Sequence, residues 1–132
     1  MDYKRRAEEE GYRARSAYKL KQIDGDFGVF SSGDTVVDIG ASPGGWSQVA
    51  AEEVGEEGRV VGVDLAPIET FGASEAGGDS GADVEFLRGD VTEDETKERT
   101  EEAVDGSVDA VVSDASPDIS GEWTLDHARS VH

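Results

Sequence analysis

The chain has no cysteine among its 132 residues. That absence excludes a disulfide framework and a thiolate metal site. Histidine is nearly missing as well. His127 and His132 are the only two, and a pair of isolated imidazoles does not make a metal site. No apolar run is long enough to span a bilayer, and the first residues contain no apolar signal segment. The expectation is a cytoplasmic chain with no membrane in its function. Its length fits one domain with a core of its own.

Basic residues are the other scarcity. Twelve Lys and Arg stand against 31 Asp and Glu, a formal charge of −19. The acids are spread along the chain, as on a surface adapted to concentrated salt, where charges are screened within a few Å. A disordered acidic chain would share the composition, but it would lack the apolar strand-like runs described below. The few bases are unevenly placed. Residues 1–22 carry seven basic and four acidic side chains, net +3, whereas residues 23–132 carry five and 27, net −22. A basic segment kept within so acidic a chain is the natural place for a polyanionic partner. Arg13 and Arg15 are its candidate phosphate contacts.

The pattern then alternates. Charged residues 3–10 read as helical. In "RSAYKLKQID" (15–24), Ala17, Leu20 and Ile23 fall at helical spacing with Ser16 as a cap. "SSGD" (31–34) is a turn, "TVVDIG" (35–40) a buried strand, and "WSQVAAEEV" (46–54) a helix stopped by Gly55. "RVVGVDL" (59–65), "VEFLRGD" (84–90) and "SVDAVVSDASP" (107–117) give three further strands, the last with a turn after it. Residues 67–83, rich in Gly, Ser and acids, read as a flexible loop, 93–104 as an exposed acidic helix, and 124–132 as the start of a helix. Strands that are continuous apolar runs separated by helices predict a parallel sheet covered on both faces, an α/β doubly wound fold. Residues 1–30 form a basic N-terminal helical segment, and 31–132 belong to the sheet domain.

In such a sheet the carboxyl ends of the strands form one rim where ligands bind. Asp38 to Trp46, Asp64, Asp90 and Asp114 fall on that rim. In "GASPGG" (40–45), Gly40, Gly44 and Gly45 remove side chains where strand turns into helix, so that backbone can approach a ligand. The helix start adds unpaired N–H groups and a positive dipole end. A dinucleotide site has glycine where Ser42 stands, and Pro43 stiffens the turn, which weakens a nicotinamide or flavin reading. An adenosine carrying an amino-acid tail fits better. Asp64 is placed for ribose hydroxyls and Asp90 for an adenine amino group.

"DIGASPGGWSQ" (38–48), followed in order by "VGVDLAPI", "FLRGD" and "VVSDASPDISG" and preceded by "GYRARSAYKLKQID", resembles the signatures of the FtsJ-like (RrmJ/RlmE) ribosomal RNA 2′-O-methyltransferase family, as a halophilic archaeon would carry it. The resemblance implies the S-adenosylmethionine-dependent methyltransferase variant of the doubly wound fold, of which 31–132 would be the N-terminal portion. It implies that Gly44 and Trp46 contact the cofactor, that Asp64 holds its ribose and Asp90 its adenine, and that Asp114 lies beside the sulfonium. Lys19 and Asp114 match the first two members of the family's Lys-Asp-Lys-Glu catalytic set, and Lys19 also lies in the RNA-facing segment. The implied substrate is a uridine ribose in large-subunit (23S) ribosomal RNA, within the large ribosomal subunit. Ser42 stands where the family has alanine, and 67–83 is longer than its common form. The second catalytic lysine and the glutamate have no counterpart in these 132 residues. Two readings of the chain follow, an RNA methyltransferase or a cofactor- and RNA-binding fragment of one. A small-molecule methyltransferase is disfavoured by the basic segment, and a dehydrogenase by Ser42 and Pro43.

Overall fold

A computed structural model describes residues 10–113 and 129–131. Helix α1 (Ala17–Phe27) leads into strand β1 (Thr35–Ile39), helix α2 (Gly45–Val54), a short 3-10 turn and strand β2 (Arg59–Asp64). Strand β3 (Asp83–Arg88), helix α3 (Asp94–Val104), strand β4 (Ala110–Ser113) and strand β5 (Arg129–Val131) follow. The five strands form one sheet in the order β3-β2-β1-β4-β5. All neighbours run parallel. The chain walks outward from β1 to β3, then returns to β1's other side for β4. That reversal between β1 and β4 is the switch point where doubly wound sheets bind ligands.

The unbroken valine runs have a physical reason. Successive strand residues point to opposite faces, and each face here has its own core. Val36, Val60, Ala110 and Val112 pack with Leu20, Trp46, Val49 and Val54 beneath α1 and α2. Val37, Ile39, Val61, Val63 and Val111 pack with Val104 and Val108 on the side of α3. In β1, β2 and β4 neither face meets water, so no polar alternation survives, whereas edge strand β3 keeps exposed Asp83, Glu85 and Arg88 between partly buried residues.

Several expectations need correction. Ser16 stands at the start of α1 with helical backbone angles, and its side chain makes no capping bond. Residues 67–82 contain no helix or strand, yet they are bonded to the domain rather than loose. The Ala76 amide donates to the Gly11 carbonyl at 3.2 Å, and the Phe71 ring meets Phe86 of β3 edge-on, centroids 5.4 Å apart. Residues 129–131 are a strand and not part of a helix, because β4 presents an open ladder that Arg129–Val131 completes. Residues 3–9 of the first expected helix, the turn after β4 and residues 124–128 lie outside the described residues.

Candidate functional site

The rim is built from three strand ends. After β1 the backbone stays attached to β2. The Gly40 and Ala41 amides both donate to the Val63 carbonyl, at 2.8 and 3.1 Å. The chain then turns at Ser42-Pro43, and Gly44 takes φ 118°, ψ 6° before α2 begins. After β2, the Asp64 carboxylate ties two rim loops together. Its Oδ2 accepts the Ser42 amide and its Oδ1 the Ala66 amide, each at 2.9 Å. A carboxylate oxygen has a second lone-pair site, so both oxygens keep capacity for a ligand hydroxyl. After β3, Asp90 Oδ1 accepts the Thr92 hydroxyl at 2.6 Å and the Thr92 amide at 2.9 Å. These bonds, the hydroxyl's first, hold the Asp90 carboxyl below the usual aspartate value. It therefore stays an acceptor.

The three ends enclose a cleft of about 290 Å³ lined by Gly40, Asp64, Leu65, Gly89, Asp90, Val91 and Thr92. Leu65 is 63% exposed, an apolar side chain left open at the cleft. A smaller recess of about 50 Å³ runs beside it, between Gly40–Pro43, Trp46 and Ser16. Asp38 lines this recess while almost fully buried, and it accepts the Ser47 hydroxyl at 2.7 Å.

The fold has counterparts among known methyltransferases. The FtsJ-like methyltransferase model matches residues 12–132. The chain belongs to that family. A Halorubrum lacusprofundi protein named Ribosomal RNA large subunit methyltransferase E is 54% identical over 132 residues, covering 99% of this chain and 46% of that protein. The Halobacterium salinarum protein of the same name is 53% identical, over 98% and 48%. These relatives are from halophilic archaea. The chain spans about half the length of the curated relatives it matches. A Plasmodium falciparum structure described as a ribosomal RNA methyltransferase superposes with TM-score 0.63 at 25% identity, over 80% of this chain and 57% of that one. No helix among the described residues is long and apolar enough to cross a membrane.

Within this FtsJ-like chain, Asp64 and Asp90 share the larger cleft, Trp46 lines the smaller recess, and Gly44 lines neither, facing Arg13 and Phe71. Trp46 is buried, and its Nε1 donates to the Ser16 carbonyl at 2.9 Å. Only its ring therefore remains for a ligand. Lys19 lies exposed on α1, which this tryptophan bond fastens to the glycine turn. Asp114 lies outside the described residues, as do Trp123, His127 and His132. Arg15 is exposed, with no side-chain partner among the described residues.

Arg13 is placed otherwise than a phosphate contact requires. Its Nε and one Nη2 hydrogen go to the two Glu75 carboxylate oxygens, at 2.8 and 3.0 Å. The other Nη2 hydrogen goes to the Thr70 carbonyl at 2.9 Å, and Nη1 serves the carbonyls of Pro43, at 3.2 Å, and Glu69. A guanidinium has five N–H donors, and all five are engaged inside the fold. Tyr12 and Tyr18 pack edge-on with centroids 5.6 Å apart, and Lys21 lies over both rings.

Sequence reasoning passed over Gln48, Ser47 and Glu75. Gln48 is fully buried. Its Oε1 accepts the Arg13 amide at 2.8 Å, and its Nε2 donates to the carbonyls of Gly11 (2.9 Å) and Ala76 (3.0 Å). The signal for it was weak, because Gln48 stands four residues before Glu52, on the face a helix turns to water. Glu75 carried no signal, being one acid in a loop of many.

Proposed function

We propose that the chain is the cofactor-binding part of an enzyme that methylates the 2′-hydroxyl of a uridine ribose in large-subunit ribosomal RNA, with S-adenosylmethionine as donor. The observation that carries this reading is a pair of carboxylates, Asp64 and Asp90, on one 290 Å³ cleft beside a glycine turn at the sheet's switch point. The residues fit an adenosine. Asp64 has acceptor capacity for two ribose hydroxyls. Asp90, kept ionised by Thr92, accepts an adenine amino hydrogen. Leu65 and Val91 supply apolar surface for a purine ring. At Gly44 an added Cβ would lie 3.1 Å from Arg13 Nη1 and 3.4 Å from Phe71, so the turn has its shape because no side chain is there.

When bound, the cofactor supplies an electrophilic methyl group on a sulfonium. The chain's own residues orient the partners. α1, fastened to the turn through Trp46 and Ser16, carries Lys19, and Arg15 stands exposed in the turn just before it. Arg15 is the phosphate contact of this reading, and Lys19 and Asp114 orient the ribose hydroxyl, whose proton acceptor the resemblance assigns to the family's second lysine, without counterpart in these 132 residues. The relatives' names supply the ribosomal RNA, the resemblance the uridine and its 2′-oxygen, and a cytoplasmic setting follows from a ribosomal substrate.

Calorimetric titration in molar KCl tests the cofactor, and nucleoside mass spectrometry of large-subunit RNA treated with the full-length protein tests the product. The expected result is S-adenosylmethionine binding that Asp90→Ala weakens, with one ribose-methylated uridine formed. Arg15→Gln is expected to leave cofactor binding intact and to lower the salt slope of RNA binding by roughly 0.7–0.9. Binding of a nicotinamide dinucleotide in place of S-adenosylmethionine would sink the reading.

A further inference from the structure

We propose that Arg13 is a positioning residue that locks the glycine turn, the 69–76 strap and the N-terminal segment into one body, so that the turn's shape depends on a side chain outside it. Three separate elements end on this one guanidinium. Pro43 belongs to the turn, Glu69, Thr70 and Glu75 to the strap, and Arg13 itself to the segment leading into α1. Its side chain is only 13% exposed, and its Cζ lies 4.8 Å from the centroid of the Phe71 ring, itself edge-on to Phe86. The strap is held from its other side by Gln48, which bonds Gly11, Arg13 and Ala76 from the first turn of α2. At Gly77 the strap backbone comes so near α2 that an added Cβ would stand 2.8 Å from the Gln48 carbonyl oxygen.

The arrangement distinguishes shape from charge. A lysine keeps the positive charge, but a single ammonium cannot reach carbonyls and carboxylate oxygens spread around a planar fork. A phosphate contact would tolerate lysine; this clamp does not. The consequence for ligand binding rests on the proposed cofactor reading of the turn, whereas the clamp itself does not.

The test is amide hydrogen exchange on the full-length protein in molar KCl, without ligand, comparing wild type with Arg13→Lys and Arg13→Gln. Peptides spanning 42–50 and 70–78 are expected to exchange roughly tenfold or more faster in both variants, the scale set by charged hydrogen bonds, while β1 and β2 stay protected. S-adenosylmethionine affinity is expected to fall roughly tenfold alongside. Unchanged exchange in either peptide overturns the clamp, as does full rescue by lysine. A lower RNA salt slope with unchanged exchange would make Arg13 a phosphate contact instead. Should Arg13→Gln not fold, Glu75→Gln reads the same two peptides with the carbonyl bonds kept. If wild type binds no S-adenosylmethionine, the proposed function falls, and the exchange comparison still decides the clamp.

Discussion

Substituting Gly44 by alanine separates two adjacent glycines that a sequence treats alike. Gly44 sits at φ 118°, in the left-handed half of backbone space. Holding an L-residue there costs about 1–3 kcal/mol. The new Cβ would stand 3.1 Å from Arg13 Nη1, 3.3 Å from its Cδ and 3.4 Å from Phe71 Cε1. The guanidinium must then shift, loosening bonds that are worth about 1.5–3 kcal/mol when a charged partner is involved. Partial relaxation leaves a net loss of about 2–4 kcal/mol, which lowers Tm by roughly 5–15 °C. Gly45, the first residue of α2, is the control. Its Cβ would meet the Ala14 methyl at 3.2 Å and the Ala14 N and O at ordinary contact distances of 3.5 and 3.6 Å, and alanine's better helix propensity, up to about 1 kcal/mol, offsets that crowding. Gly45→Ala is expected to move Tm by only a few degrees. Calorimetric melting and S-adenosylmethionine titration at 25 °C read both variants, with cofactor affinity lost in Gly44→Ala and retained in Gly45→Ala. Equal behaviour of the two, in either direction, would refute the reasoning, since it would make the effect one of general crowding rather than backbone sign and clamp.

Three further outcomes follow from named contacts. Asp64→Asn puts an NH2 group against the Ser42 or Ala66 amide, and losing one charge-assisted bond of about 1.5–3 kcal/mol should weaken cofactor binding tenfold to hundredfold; unchanged affinity would remove Asp64 from the site. The Arg13 hydrogen bond holds the Glu75 carboxyl below its ordinary value of 4.5. A depressed folded-state pKa gives stability that is fully present above 4.5 and lost as pH falls through the lowered value, so the acid limb of wild-type stability should be steeper than that of Arg13→Gln, and superimposable limbs would deny the coupling. Finally, residues 23–132 carry a net charge of −22, and dilution from 1 M to 0.1 M salt lengthens screening from about 3 to about 10 Å. Circular dichroism should report loss of structure on that dilution, and a fully folded protein at 0.1 M would remove the case for salt adaptation.

The strands were legible because burial on both faces writes itself as uninterrupted valine, as in Thr35–Ile39 and Arg59–Asp64. The rim was legible for a related reason. Glycines and acids at strand ends are places where packing does not dictate the residue, so what stands there answers to something else. The strap over 67–82 was not legible. Its composition is that of a solvated loop, and the bonds that pin it join residues far apart in sequence, Gln48 to Ala76 across 28 positions and Arg13 to Thr70 and Glu75 across 57 and 62. No local pattern encodes such a pairing. Arg129–Val131 fails differently, since three residues have little preference of their own and take the conformation of the strand edge they meet.

The placement of Arg13 and Lys21 changes what the basic N-terminal segment can do. Counted as charge, residues 1–22 offer a net +3 to a polyanion. Counted as available donors, they offer less. Arg13 has every N–H engaged by this chain, and Lys21 donates to the Tyr12 hydroxyl at 3.1 Å and lies across two tyrosine rings. Arg15, just before α1, and Lys19, on it, are exposed as well. That economy is consistent with a protein built for concentrated salt. Each phosphate contact gains affinity by releasing counterions, and that gain shrinks as bulk salt rises. At screening lengths of about 3 Å, further surface cations would add little attraction, whereas a cation enclosed among carbonyls and a carboxylate is screened far less. Such a chain gains more from an arginine turned inward, holding the glycine turn and the strap of an acidic fold together, than from one more cation on its surface.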